Sequence, residues 1–188
     1  TLAFSLLGTL ALREFFLQLE ENKERHSFFK AAREYCDKVG KPLLRIGMRR
    51  SSLEPPNGDV TLDIDDAVLN VPGGVLGDER NMPFEDKEFG VCFNEHTLEH
   101  LCTVEDVKQA VAECTRVADI AIFLAPSSSS VISFFHPDHR LRLWFKENSI
   151  EVKELANPRC KRAAHLLRGN VSQHLVSHGE ELEVLSKP

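Results

Sequence analysis

Gly77-Asp78-Glu79-Arg80-Asn81-Met82-Pro83-Phe84, continued by Phe89-Gly90-Val91-Cys92-Phe93-Asn94-Glu95-His96 and Thr97-Leu98-Glu99-His100-Leu101, decides the fold of this 188-residue chain. The first part reads as a strand end carrying an acid, followed by a turn. The second reads as a buried strand whose polar end opens into a helix. In front of this stretch, residues 43–47 form a short apolar strand, Pro55-Pro56-Asn57-Gly58 a turn, residues 60–64 a second strand, and Val75-Leu76 a third strand running into Asp78. Behind it, Val104, Val107, Val111, Cys114 and Ala118 line one helix face, with Thr103 and Asp106 as a capping box at its start, and residues 120–124 form a fifth strand. Short apolar strands separated by helices require crossover connections, and therefore imply a parallel sheet covered on both faces.

Toward the N-terminus, Phe28, Phe29, Ala32, Tyr35, Cys36 and Val39 recur at helical spacing within residues 20–39, and Gly40 and Pro42 end that helix. Residues 1–12 are apolar on all sides and the chain turns amphipathic at Arg13. Twelve residues are too few to cross a bilayer, which takes roughly 20. A packing helix, a partner-binding helix and a membrane anchor all fit. The apolar surface of Leu10, Leu12, Phe15, Phe16 and Leu19 favours a membrane or protein partner for the segment from Thr1 to Leu19.

Beyond Pro126 come four serines and the aromatic, basic run from Phe134 to Phe145. Residues 149–155 and 182–185 are expected as sixth and seventh strands, and residues 163–176 as helix. Two regions result, an N-terminal helical region of residues 1–40 and a domain of residues 41–188.

Composition narrows the function classes. Hydrophobic residues at 42% and charged residues at 28% are those of a globular protein. A net charge of −6 argues against bulk nucleic acid as a partner, since such binding needs a dense Lys/Arg face. Five cysteines without CxxC spacing suggest reduced thiols in an intracellular setting, with membrane association through the N-terminal helix as a further expectation.

In an open α/β sheet, ligands bind outside the carboxyl ends of the strands near the switch in strand order. The residues that end the strands are Gly47, Asp63, Asp78 and the group from Asn94 to His96. A nucleoside ligand needs close backbone approach at the first turn, a carboxylate for two ribose hydroxyls and an acceptor for the adenine amino group. Asp63 and Asp78 could equally serve as turn or helix caps.

The quoted stretch resembles the middle of the class I S-adenosylmethionine-dependent methyltransferases, in the group that reads something like GDxxxLPFxDxxFDxVxxxHxLEHL. Gly90 stands where that group usually has Asp. The resemblance covers roughly residues 41–144 and implies an α/β, Rossmann-like open, mostly parallel sheet, here preceded by an apolar N-terminal helix. It implies that Gly47 is the first glycine of the loop after strand one, and that Asp63 holds the ribose. Asp78, with the Glu79 backbone beside it, would pair with the adenine amino group. Asn94 and His96 would line the methyl-donor pocket and the substrate entrance.

The first loop departs from this pattern. The family presents an acid followed by Gly-x-Gly-x-Gly, whereas this chain reads Arg45-Ile46-Gly47-Met48-Arg49-Arg50-Ser51-Ser52. Side chains at Met48 and Arg49 stand where backbone should approach the ligand, and Arg45 replaces an acid. A low-affinity site, an altered ligand and an inactive relative all follow from such a loop.

Methyl transfer is largely alignment, aided by a base when the acceptor must lose a proton. His96, His136 and His139 are the candidate bases, and Phe134, Phe135, Trp144 and Phe145 could roof an acceptor pocket. A rival pattern is His96-Thr97-Leu98-Glu99-His100, which matches the inverted zinc-peptidase motif HxxEH. The Glu-His pair already belongs to the methyltransferase-like run and no third ligand follows at a distinctive position, although His136 and His139 remain candidates, so no metal is expected. The expected activity is S-adenosylmethionine-dependent methyl transfer to an unidentified acceptor. The alternative is an inactive methyltransferase-fold subunit of a membrane-associated assembly.

Overall fold

The structure, a computed structural model, describes residues 2–127, 130, 136–155, 173–177 and 182–186. Nine strands and two α-helices follow in chain order among these residues: α1 (Leu2–Val39), β1 (Leu43–Ile46), β2 (Val60–Asp63), β3 (Gly74–Leu76), β4 (Phe89–Glu95), α2 (Val104–Val117), β5 (Ala118–Ala125), β6 (Leu141–Lys146), β7 (Ser149–Glu154), β8 (Gln173–Ser177) and β9 (Glu183–Ser186). The main sheet has the order β3-β2-β1-β4-β5-β8. Its first five strands run parallel and β8 pairs antiparallel with β5. A smaller sheet has the order β6-β7-β9. This is the mostly parallel, Rossmann-like α/β architecture expected from the sequence.

Both faces of the main sheet are covered, which explains why β4 is buried along its whole length. On one face Phe29, Ala32 and Cys36 of α1 pack against Leu43, Val91, Phe93, Ile122 and Leu124. On the other, Val107, Ala110, Val111, Cys114 and Val117 of α2 join Leu44, Ile46, Cys92 and the inner residues of β6 and β7. Gly90 is explained by the first of these contacts. A Cβ there would stand 3.0 Å from Cys36 Sγ and 3.3 Å from Val39 Cγ2, so glycine lets the last turn of α1 lie on β4 where an Asp would be driven into the interface.

The apolar lead and the amphipathic segment form one continuous helix of 38 residues, about 57 Å long. Neither proline nor a capping motif interrupts it before Gly40, which takes a φ of 69° and whose N–H closes the helix on the Cys36 carbonyl at 2.9 Å. Only its second half lies on the sheet. Leu10, Leu12, Phe15, Phe16 and Leu19 are exposed, and among the described residues no helix is long and apolar enough to cross a membrane.

The capping box forms as expected: Thr103 Oγ1 accepts from Asp106 N at 3.1 Å, and Asp106 Oδ2 accepts from Thr103 N at 2.9 Å. Three expectations need correction. The polar end of β4 opens into a single 3-10 turn, Leu98–His100, because a second cap at Thr103 restarts the chain as α2. The run before residue 146, read as aromatic and basic, contains β6, whose alternating Leu141 and Leu143 face the core while a two-residue turn at 147–148 leads into β7. Residues 173–176, expected as helix, belong to β8, which covers the open edge of β5 by pairing Leu175 with Phe123. The remainder of that expected helix lies outside the described residues, as do Phe134 and Phe135.

Candidate functional site

A cleft of about 620 Å³ opens at the carboxyl ends of β1, β2 and β4, where the strand order reverses between β1 and β4. Gly47, Asp63, Asp78, Glu79 and His96 all border it. Asn94 does not. Sequence reasoning placed Asn94 on the pocket wall, but it is fully buried behind that wall.

Gly47 turns the chain at the end of β1 with a φ of 82°. Its N–H donates to the Leu62 carbonyl at 2.8 Å, which ties the turn to β2. A Cβ at this position would stand 3.0 Å from Thr97 Cγ2, so the backbone is bare at the cleft floor. Asp63 ends β2 with its carboxylate nearly buried. It accepts from Met48 N at 2.8 Å and Asp65 N at 2.9 Å, and Arg50 Nη2 lies 3.4 Å from it. Arg50 also donates to Asp65 Oδ2 at 2.9 Å.

Asp78 is held in a similar way. Arg80 donates through its backbone N–H and its Nε, both at 2.9 Å from Asp78 Oδ1, while Arg80 Nη1 reaches Asp106 Oδ1 at 2.6 Å. The Arg80 hydrogen bonds keep the Asp78 carboxyl below the usual carboxylate range. Both acids that the sequence singled out therefore reach the cleft already carrying an arginine.

Beside them sits a ring of three polar side chains, with Asn94 and Glu79 buried and Thr97 half-buried. Asn94 Nδ2 donates to Glu79 Oε2 at 2.6 Å, and Thr97 Oγ1 lies 2.9 Å from the same oxygen and 2.8 Å from Asn94 Oδ1. Thr97 has one proton for two acceptors. A protonated Glu79 resolves this: it donates to Thr97, which donates to Asn94, which donates back to Glu79. Burial, opposed by the hydrogen bonds of Thr97 and Asn94, pushes the Glu79 carboxyl up to about 7.

His96 follows β4 with a φ of 54°, a conformation uncommon for a residue with a side chain, and its Nε2 lies 2.9 Å from Glu21 Oε1 on α1. Burial favours the neutral ring, but the Glu21 hydrogen bond and the charges of Glu99 and Glu21 outweigh it and raise the His96 pKa. His96 and His100 do not share a helix face, so the inverted zinc-peptidase arrangement does not form. His136 and His139 stack at 4.4 Å between ring centroids and stand off the cleft wall, beside His100, which is on it. Trp144 and Phe145 lie on β6 away from the cleft, and Phe145 packs on the core instead.

One feature of the cleft escaped the sequence. Arg45 is 2% exposed and pairs with Glu95 at 3.2 Å and Glu54 at 3.4 Å, while Arg25 of α1 makes a second ion pair with Glu95. The arginine that replaces an acid at the end of β1 is thus answered by an acid at the end of the neighbouring strand. An Arg inside the buried run Leu43-Leu44-Arg45-Ile46 signals the need for a partner. Nothing local identifies Glu95 as that partner.

Residues 60–120, from β2 into β5, match the family model described as a methyltransferase domain. No curated protein matches the chain. Among solved structures, a protein from Pyrococcus horikoshii is similar at 16% identity and a TM-score of 0.32, over 51% of this chain and 58% of that one. A S-adenosylmethionine-dependent methyltransferase from Clostridium acetobutylicum is similar at 11% identity and a TM-score of 0.43, over 66% and 58%. A Thermotoga maritima methyltransferase, described as a "possible histamine N-methyltransferase", is similar at 14% identity and a TM-score of 0.35, over 69% and 63%. The chain spans about three fifths of the length of these structures. Strand order and the family match over residues 60–120 agree: the chain has a Rossmann-like, mostly parallel α/β fold, and its central third is similar to a methyltransferase domain.

Proposed function

We propose that the chain binds S-adenosylmethionine in this cleft and transfers its methyl group to an acceptor. The observation that carries the reading is the convergence of the bare Gly47 turn, Asp63 and Asp78 on one cleft at the switch in strand order. These residues fit the cofactor. Gly47 would admit it close to the backbone, Asp63 would accept from the ribose hydroxyls, and Asp78 with the Glu79 backbone would take the adenine amino group. The bound sulfonium supplies an already activated methyl group. His96, which borders the cleft with Glu21 at 2.9 Å from its Nε2, would take a proton from the acceptor.

A second reading, an inactive methyltransferase-fold subunit, is favoured by one observation: Arg50 and Arg80 already occupy the two acids. Calorimetric titration with S-adenosylmethionine and S-adenosylhomocysteine separates the two. Micromolar binding, lost in Asp63→Ala and tightened up to about fivefold in Arg50→Ala, supports the enzyme, since an exposed ion pair is worth at most about 1 kcal/mol. No binding to the wild-type chain makes the inactive subunit the better account.

A further inference from the structure

Glu99 is the least explained side chain among the described residues. It is 3% exposed, and both carboxylate oxygens are buried without a hydrogen-bond partner among the described residues. An ionised carboxylate left unpaired in the interior costs several kcal/mol, so buried acids of this kind are paired, neutralised or bound to a cation. The groups that face it are histidines. His139 Nε2 lies 3.9 Å from Glu99 Oε1, too far for a hydrogen bond, and the His100 ring stands 4.9 Å from that of His139.

The geometry points to a divalent transition-metal site formed by Glu99, His100 and His139. One ligand atom from each lies within 4.8 Å of the others. A tetrahedral ion with bonds of about 2.1 Å needs neighbouring ligand atoms about 3.4 Å apart, so the cluster must contract by roughly an ångström. His100 is exposed and can supply most of that movement by turning its ring.

Two features prepare the site without any ion. His100 Nδ1 lies 3.2 Å from the Asp138 carbonyl oxygen, to which it donates, so Nε2 is left bare as a ligand atom. Arg140 N donates to the Glu99 carbonyl at 2.8 Å and stitches the turn carrying Glu99 and His100 to the segment carrying His139. The turn carrying Glu99 and His100 is thus tied to the segment carrying His139 by backbone contacts.

Two imidazoles and one carboxylate suit Zn²⁺ or Co²⁺ better than Ca²⁺ or Mg²⁺, which take oxygen ligands. Three protein ligands leave a position for water or another donor atom. Because His100 borders the cleft, the ion would stand in its wall, next to where an acceptor would enter.

The test uses the full chain, stripped with a chelator and titrated with ZnCl₂ by calorimetry and with CoCl₂ by its visible ligand-field bands. The wild type is expected to take up one equivalent, with imidazole and carboxylate ligation visible in the cobalt spectrum. His100→Ala, at an exposed position that should leave folding intact, and Glu99→Gln should each weaken uptake more than about tenfold. Cys102→Ser should leave it unchanged, since that exposed thiol, two residues from His100, is a rival ligand outside the proposed set. Far-UV circular dichroism establishes that each variant is folded, and His100→Ala alone decides the outcome if Glu99→Gln does not fold. No saturable uptake, or uptake that survives His100→Ala but not Cys102→Ser, overturns the site and leaves Glu99 a buried neutral acid.

Discussion

Replacing Glu79 by Gln should make the protein more stable at pH 8 than the wild type while changing little at pH 5. The carboxyl titrates near 7 in the fold against an ordinary 4.5, because burial outweighs the hydrogen bonds from Thr97 and Asn94. Between these values the folded chain keeps a proton that the unfolded chain has released, so stability falls as pH rises from about 4.5 to about 7 and is level above. The span of the shift corresponds to roughly 3 kcal/mol, at 1.36 kcal/mol per unit. Gln keeps the site uncharged: a carbonyl in the place of Oε2 accepts from both Asn94 and Thr97, so two of the three ring hydrogen bonds survive without a charge to desolvate. Urea unfolding of both proteins from pH 5 to pH 8, followed by ellipticity and Trp144 fluorescence, should show the difference in stability growing by about 2 to 3 kcal/mol in favour of the variant. Glu99 is raised in the same direction, and His96, also raised, loses stabilisation as pH increases through its folded value. Their own titrations are common to both proteins, and only the mutual repulsion of Glu99 and Glu79, which adds to the rise of Glu79, is absent from the variant. A difference that does not change with pH would refute the protonated ring.

Arg45→Met should cost about 3 to 5 kcal/mol in chemical denaturation, because it leaves Glu95 buried with only Arg25 to answer it. The double variant with Glu95→Gln should recover part of that loss, and equal losses for the single and double variants would show that packing of the arginine stem matters more than its charge. Leu12→Glu combined with Phe16→Glu should alter stability by no more than about 0.5 kcal/mol, since both side chains are exposed. The same pair should abolish co-sedimentation with phosphatidylcholine vesicles if the N-terminal stripe is a membrane contact, and a wild-type chain that ignores vesicles excludes that role.

The parts of the fold legible in the sequence are those specified locally. Strands β1 to β5 announce themselves as short apolar runs bounded by Gly, Pro or an acid, and the Thr103–Asp106 cap is written in two residues three apart. The parts that were missed depend on distant neighbours. β8 exists because β5 offers an open edge, and β6 because its alternating leucines find the α2 side of the sheet. Gly90 looked like a departure from a family pattern and is the imprint of α1 lying across β4. In the site, Asp63 and Asp78 could be placed from position alone, since they end or follow strands. The ring that removes Asn94 from the cleft joins it to a residue 15 positions away, and the Arg45 pair spans 50 positions.

The changes in the first loop are coupled. A loop with several glycines offers only backbone to a ligand; here Met48 still donates its N–H to Asp63, but Arg50, two residues on, returns to the same carboxylate. A carboxylate has room for about four hydrogen bonds, and Asp63 uses three, on Met48, Asp65 and Arg50. With Arg50 in place one site remains for a ribose that needs two. Arg50 is also the partner that is easiest to remove: its side chain is 53% exposed, whereas the two backbone N–H groups are fixed by the fold and orient the acid toward the cleft. Releasing an exposed pair costs at most about 1 kcal/mol, less than two ribose hydrogen bonds to a charged acceptor return at about 1.5 to 3 kcal/mol each. On the proposed reading, the loss of glycines should weaken the site without destroying it. Whether the cleft holds a nucleoside turns on the Arg50 side chain more than on the missing glycines themselves.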